Sequence, residues 1–394
     1  MLNYSTRKPR LLFITQDRAI GGGTSSLSAL YGIIKNAYDI SVFLLTDEGN
    51  AEVSYSERIV KSKAITDLYY RNYSLLRGYK RFLSAFVKIC FKALKHLGIN
   101  VDKIHVRYNI NALCNHDLII SYGEGIATIF AQYIPDCPRI AWIHNEISRQ
   151  PYSPAFQDLY SKYDHIVTVS NVIANGLKKI YPHLAEKVSG ICNIVDTQRI
   201  KRLAEESISE HFSSESFNII SIGRLSPVKR FTEIPHIVSE MQSYSKMIKW
   251  RIIGPETGGS ERDILMENIH KFNVEGEVEY LGDKVNPYPY LAKSDLLVIL
   301  SFSEACPMVI TEARTLSVPI VSTDFTTAYE FIDDNVDGVV RPISKIAFEI
   351  DNLIRDRQRY SQIKLNSANR KNDNDENVRR FNLLIDLVFS QTAC

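Results

Sequence analysis

The sequence has no pronounced excess of charge, 47 basic residues against 45 acidic ones in 394, so nothing global points to nucleic acid and any basic surface must be local. Its six cysteines, Cys90, Cys114, Cys137, Cys192, Cys306 and Cys394, are scattered. They show neither the close spacing of a metal centre nor the density of a disulfide framework, and they read as reduced thiols of a cytosolic protein. No uninterrupted apolar run approaches the roughly 20 residues that span a bilayer. The N-terminal stretch MLNYSTRKPRLLFITQ reaches the polar Gln16 too soon for the core of a secretory signal. A cytoplasmic protein is expected, able to touch a membrane without crossing it. Short-period repeats and long low-complexity tracts are missing as well, which leaves ordinary globular domains.

The length favours two such domains. Short β-branched or aromatic runs alternate with helical patterns throughout, the signature of doubly wound parallel α/β sheets. The first half offers strands in RLLFIT from Arg10, ISVFLLT from Ile40, DLIISY from Asp117, RIAWIH from Arg139, HIVTVS from His165 and KVSGIC from Lys187. A second set runs through FNIISIG from Phe217, WRIIG from Trp250, VEYLG from Val278, LLVIL from Leu296, PIVST from Pro319 and GVVRP from Gly338. Between the sets lies the polar, serine-rich AEESISEHFSSES from Ala204, which suits an interdomain linker. Two Rossmann-like domains facing each other across a cleft are expected, at 1–204 and 205–374. An amphipathic helix at 375–394 either caps the second domain or crosses back to the first.

From Tyr69 to Val101 the chain carries Arg71, Arg77, Lys80, Arg81, Lys88, Lys92 and Lys95 and no acidic residue. At about 100° per residue, Tyr79, Phe82, Leu83, Phe86, Cys90, Leu94 and Leu97 share one face and most cations lie opposite. Such a helix reads in two ways: solvated and packed on its sheet, or interfacial on an anionic membrane.

Three stretches can carry chemistry. In DRAIGGGTSSLSAL, from Asp17, glycines follow a strand and a helix is expected to start at Thr24 or Ser25; the loop either cradles phosphate at the helix N-terminus or is a plain tight turn. It is neither a Walker loop nor a G-x-G-x-x-G fingerprint. In SIGRLSPVKR, from Ser221, a strand end projects Arg224, Lys229 and Arg230, a set suited to a diphosphate if it is more than a solvated basic loop. In SEACPMVITEAR, from Ser303, Pro307 fits a first helical residue, which puts Glu304 before the helix and Glu312 on its second turn. That spacing suits neither a shared metal nor an acid and base across one bond. It suits two hydroxyl acceptors flanking a helix N-terminus that faces a phosphate or sugar.

G-R-L-x-x-x-K from Gly223, followed downstream by those two glutamates, resembles the retaining nucleotide-sugar glycosyltransferases of family 4, which have the two-domain GT-B fold. The stretch 282–324 is similar to bacterial members that build capsule, exopolysaccharide or O-antigen units. In the first domain the resemblance rests on the glycine loop, on AWIHNE from Ala141 and on NIVD from Asn193. It implies that Arg224 and Lys229 hold the donor diphosphate and neutralise the departing nucleotide. Glu312 would accept from the ribose hydroxyls and Glu304 would sit beside the transferred sugar. The backbone N–H groups of Ala305, Cys306, Met308 and Val309, Pro307 having none, would meet sugar hydroxyls and the distal phosphate. The loop from Gly282 to Asn286 would cradle the base, and Gly22 and Gly23 would close on the diphosphate. His144 matches a histidine near donor sugar and acceptor, for positioning or polarisation; the residues alone also allow a core histidine at a strand end. The acceptor proton would pass to the leaving phosphate, so no strong protein base is required.

Two departures from the family stand out. Ala305 and Cys306 replace the usual residues after the first glutamate, and ICNIVD from Ile191 lacks the usual proline and glycine. A nominal D-x-D at Asp373 and Asp375 precedes the terminal helix, where aspartate is favoured as a cap and by the dipole, so no metal is assigned. The resemblance thus implies a hexosyltransferase with a UDP-sugar donor and no cofactor. Its acceptor would be a glycan or lipid-linked oligosaccharide, at the inner face of the cytoplasmic membrane. A nucleotide-sugar epimerase of the same fold and a catalytically silent binding subunit are the rival readings.

Overall fold

The computed structural model describes residues 7–18, 21–49, 51–73, 76–147, 150–241 and 248–392. Cys394 and the first six residues of the N-terminal stretch lie outside them, as do residues 19–20 of the glycine loop and 74–75 of the basic segment. The chain divides into two compact units, residues 1–195 with 373–394, and residues 196–372.

The first unit holds strands β1 (Arg10–Thr15), β2 (Asp39–Leu44), β3 (Ile59–Lys61), β4 (Leu118–Tyr122), β5 (Arg139–Ile143), β6 (His165–Thr168) and β7 (Val188–Gly190). They form one parallel sheet in the order β3-β2-β1-β4-β5-β6-β7. The second unit holds β8 (Phe217–Ile222), β9 (Ile248–Ile253), β10 (Val278–Tyr280), β11 (Leu296–Ile299), β12 (Ile320–Thr323) and β13 (Val339–Arg341), parallel in the order β10-β9-β8-β11-β12-β13. Central strands such as β4 and β11 are buried along their whole length, as expected of strands covered by helices on both faces, which explains their continuous apolar runs. Among the described strands only β3 escaped the sequence reading, because IVK is three residues at a sheet edge with no alternation to detect.

Each sheet has one point where successive strands diverge, between β1 and β4 in the first unit and between β8 and β11 in the second. In open parallel sheets the carboxyl ends at such a point are the usual ligand position.

The structure revises the domain boundary, places the final helix and orients the basic one. The serine-rich stretch from Ala204 is no boundary: the second unit already begins at residue 196, because the helix Thr197–Ala204 packs on the helices Tyr288–Ala292 and Met308–Thr315. The final helix, Asn374–Thr392, is part of the first unit, where Phe381 is buried 6.1 Å from the rings of Tyr38 and Trp142. In the basic segment the helix runs Tyr79–His96, but the shared apolar face does not pack inward: Tyr79, Phe82, Leu83, Phe86 and Leu97 are all exposed.

Candidate functional site

In the second unit the loops after β8 and β9 touch before any side chain is considered. Gly223 donates its N–H to the Ile253 carbonyl at 2.9 Å, and Gly254 donates to the Gly282 carbonyl at 3.0 Å. A Cβ on Gly254 would lie 1.8 Å from the Gly223 carbonyl oxygen, and its φ of 151° lies where side chains rarely go, so only glycine lets these loops meet. Gly282, at φ 73°, makes the next turn.

That contact sets the start of the loop carrying Arg224, Lys229 and Arg230. Phe302 donates its N–H to the Val228 carbonyl at 2.8 Å, stitching the loop after β8 to the loop after β11. The Lys229 ammonium forms an ion pair with Glu304 Oε1, which also accepts from the Ser301 hydroxyl at 2.6 Å. The Thr327 hydroxyl holds the Glu304 carbonyl at 2.9 Å. One cation and one carboxylate therefore bridge the divergence point of the sheet, both partly buried. Arg224 is exposed, with no ion-pair partner among the described residues. Arg230 sits in the left-handed region (φ 53°) and lays its guanidinium 4.7 Å from the Phe302 ring centre.

The helix after this loop spans Met308–Thr315, with Pro307 as its cap residue rather than its first helical residue. Ala305 and Pro307 are buried, while Cys306, Met308 and Val309 are half-buried; the Cys306 thiol is free. Glu312 lies on the second turn, as its spacing required. It keeps some open surface, but the surrounding protein strips its carboxylate of water and lifts its pKa from 4.5 to about 7. A 3.4 Å contact from the Tyr288 hydroxyl opposes that shift only weakly. Tyr288 follows the loop from Gly282, which Asn286 fastens to the Leu203 carbonyl at 2.8 Å.

In the first unit the helix after β1 starts at Gly22, two residues earlier than Thr24, so Gly22 and Gly23 form its first turn. A Cβ on Gly23 would meet nothing within 4 Å. His144 follows β5. Glu124, in the loop after β4, accepts from the His144 N–H at 2.8 Å and from the Asn145 amide. The imidazole rests 4.5 Å from the Tyr122 ring, its buried Nε2 has no hydrogen-bond partner among the described residues, and burial lowers its pKa to about 4. It is a neutral ring at pH 7. Ser26, from the helix after β1, meets Tyr122 Oη at 2.9 Å and donates to Asn193 at 3.0 Å.

Sequence reasoning passed over Ser301, Tyr288 and Glu124. Ser301 lay in view between strand and glutamate, and Glu124 sits between two loop glycines in YGEG; Tyr288 carried no signal. Among the described residues no cluster of three or more metal-ligating side chains occurs. Asp375 lies in the first turn of the final helix.

Residues 204–370 match the family described as "Glycosyl transferases group 1". That match covers most of the second unit, and the chain resembles the family there. Group 1 glycosyltransferases of this kind are retaining nucleotide-sugar transferases with the GT-B fold. Three curated relatives are similar. The uncharacterized glycosyltransferase MJ1059 of Methanocaldococcus jannaschii is 27% identical over 48% of this chain and 48% of its own length. The O-antigen biosynthesis glycosyltransferase WbnH of Escherichia coli is 22% identical over 89% of this chain and 91% of its own. A Campylobacter jejuni transferase that adds 4-alpha-N-acetylgalactosamine to a diphospho-undecaprenol-linked sugar is 26% identical over 65% of this chain and 68% of its own. The fold matches Anabaena Alr3699/HepE, solved in complex with UDP and glucose, with a TM-score of 0.72 at 17% identity over 97% of this chain and 100% of that one. The chain thus joins a GT-B-like fold to a charged pair at the divergence point of its second sheet.

Proposed function

We propose that this protein transfers a hexose or N-acetylhexosamine, with retention, from a UDP-sugar to a glycan carried on polyprenyl diphosphate, in bacterial surface polysaccharide synthesis. The observation that carries the reading is the Lys229–Glu304 pair, which joins the two loops at the β8/β11 divergence, with Arg224 exposed on the same loop as Lys229. A donor diphosphate entering there meets a guanidinium able to grip two oxygens and an ammonium able to exchange one carboxylate oxygen for phosphate. Glu304, relieved of part of its partner, then accepts from a sugar hydroxyl. The amides of Ala305 to Val309, Pro307 excepted, complete that pocket. Glu312 accepts from the ribose hydroxyls, the Gly282–Asn286 loop holds the base, and Gly22 and Gly23 offer amides to the diphosphate.

Transition-state charge collects on the departing UDP, and fixed cations there do the electrostatic work otherwise given to a metal. Transfer should therefore survive chelators. His144, neutral, polarises or positions through Nε2. The acceptor class is supported by the similarity to the undecaprenol-linked transferase. The place of work is then the inner face of the cytoplasmic membrane, with the basic helix Tyr79–His96 turned to it.

The test is transfer from a panel of UDP-sugars to a polyprenyl-diphosphate-linked glycan, with thermal shifts as the measure of donor binding. A donor that stabilises the protein yet is never transferred to any acceptor would replace the enzyme with a binding subunit. Sugar interconversion without acceptor would replace it with an epimerase.

A further inference from the structure

Strands β4 and β5 stop pairing at Tyr122 and Trp142, and β4 is followed by the short turn Gly123, Glu124, Gly125 before the helix Ile126–Ala131. Both glycines sit where side chains rarely go, at φ 132° and 82°, and a Cβ on either would meet nothing within 4 Å. Glycine is thus required by the path of the backbone, not by a close neighbour. The turn is closed on both sides: the Gly123 N–H donates to the Trp142 carbonyl at 3.0 Å, and the Gly123 carbonyl accepts from the Thr128 hydroxyl at 2.9 Å.

The one side chain that leaves this turn is Glu124. Where the strand ladder ends, its carboxylate takes the next donor: Oε2 accepts from the His144 N–H at 2.8 Å, and Oε1 accepts from the Asn145 side-chain amide. Bonds to an ionised acceptor are stronger than those to the carbonyls of an ordinary ladder. The His144 ring lies 4.5 Å from the Tyr122 ring and is stacked on Trp142 at 6.4 Å, with 18° between the ring planes. Its buried Nε2 makes no hydrogen bond among the described residues. That nitrogen is therefore aimed by ring packing and by the backbone that carries the ring.

We propose that Glu124 is a positioning residue for glycosyl transfer, fixing the His144–Asn145 backbone so that His144 Nε2 meets the acceptor hydroxyl in one orientation. The inference rests on the role proposed above for His144, whereas the coupling of Glu124 to His144 does not. Small displacements of a reacting group are costly, but a residue acting only through His144 can cost no more than His144 itself.

The experiment joins spectra of the full chain made with isotope-labelled histidine, of which it has nine, to transfer assays and melting curves. His144→Phe assigns the His144 signals by their disappearance. Glu124→Ala should move the amide and ring resonances of His144 and lower kcat about tenfold, the worth of one hydrogen bond. Donor KM and the UDP-induced thermal shift should not change, because Arg224, Lys229 and Glu312 lie in the second unit. Glu124→Gln keeps an oxygen for the His144 N–H and offers a donor to the Asn145 amide once that amide turns over, so kcat should stay within about threefold. In a His144→Phe background, Glu124→Ala should change kcat by less than about twofold. Glu124→Asp keeps the charge but shortens its reach; it should show the same losses in part, and it decides the question if the alanine variant does not fold. Unmoved His144 resonances in Glu124→Ala overturn the proposal, and so does an equal loss of kcat with and without His144. A wild-type protein that transfers to no acceptor defeats the reading of function, while the resonances still decide whether Glu124 holds His144.

Discussion

At the carboxyl ends of β4 and β5 aromatic rings dominate, Tyr122, Trp142 and a His144 imidazole that burial keeps uncharged, with the Glu124 carboxylate and, among the described residues, no cation against them. At the carboxyl ends of β8 and β11 they are ionic, with Lys229 paired to Glu304 and Arg224 open to solvent. The two sheets share one topology around their divergence points, so topology did not choose the chemistry. What differs is the loop text: GRLSPVKR brings cations to one strand-end cluster, while GGGTSS brings amides and hydroxyls, and YGEG the Glu124 carboxylate, to the other. The division suits the proposed transfer, in which a leaving diphosphate would need cations and a neutral hydroxyl acceptor would need none.

The sharpest way to break the comparison is to remove the ionic half. Arg224→Ala with Lys229→Ala should lower transfer by at least about a thousandfold, from lost charge stabilisation and an unpaired Glu304, while leaving the fold intact. Full activity in that variant would refute the assignment of that cluster. Next in size is Glu312. If ribose hydroxyls bind its carboxylate and not its acid form, UDP affinity should rise about tenfold between pH 6 and pH 8, because the group titrates near pH 7. Glu312→Gln should remove that part of the slope, leaving only the titration of UDP itself, and should weaken binding about tenfold at pH 8. The same raised pKa costs stability, since unfolding frees the carboxylate to ionise above about pH 4.5. Glu312→Gln should accordingly stabilise the protein by about 1–3 kcal/mol at pH 8 and not at all at pH 4. Unchanged melting at both pH values would mean the carboxylate is better solvated than its surroundings indicate.

Most of the fold was legible because parallel strands buried on both faces are written as short apolar runs, which β1, β4, β8 and β11 display without ambiguity. The short edge strand β3 was not, and neither was the membership of the helix Thr197–Ala204, since a boundary is decided by packing that sequence separation does not reveal. For the candidate site, the resemblance and the spacing singled out Arg224, Lys229, Glu304 and Glu312. That Lys229 and Glu304 pair with each other was not legible, because the two are 75 residues apart and meet only where β8 and β11 adjoin. The basic helix shows the same limit. Periodicity found its apolar face, but which face turns inward was set by Ser84, Lys88 and Phe91, residues that no hydrophobic pattern selects.

The comparison extends to acid. Three histidines of the first unit, His105, His144 and His165, have pKa values lowered to about 4 by burial, whereas a raised carboxylate, Glu312, lies in the second. A buried neutral histidine stabilises the fold while its unfolded counterpart is also neutral, above about pH 6.5. That stability is lost as pH falls from there towards 4 and the unfolded chain takes up the proton. Glu312 responds in the opposite sense, its penalty shrinking as pH falls from 7 to 4.5. Between pH 7 and pH 5, hydrogen-exchange protection corrected for intrinsic rates should therefore fall along β4, β5 and β6 relative to β8, β11 and β12. The expected gap is on the order of 1–3 kcal/mol of opening free energy, smaller than the sum of the shifts because opened states retain some structure. His144→Phe should shrink that gap. It should also cost transfer only about tenfold, the loss of one hydrogen bond, with no new inflection between pH 5 and 8. An inflection near pH 6.5 that disappears in the variant would instead make His144 a titrating acid or base, and the cation-free character of the first cluster would fall with it.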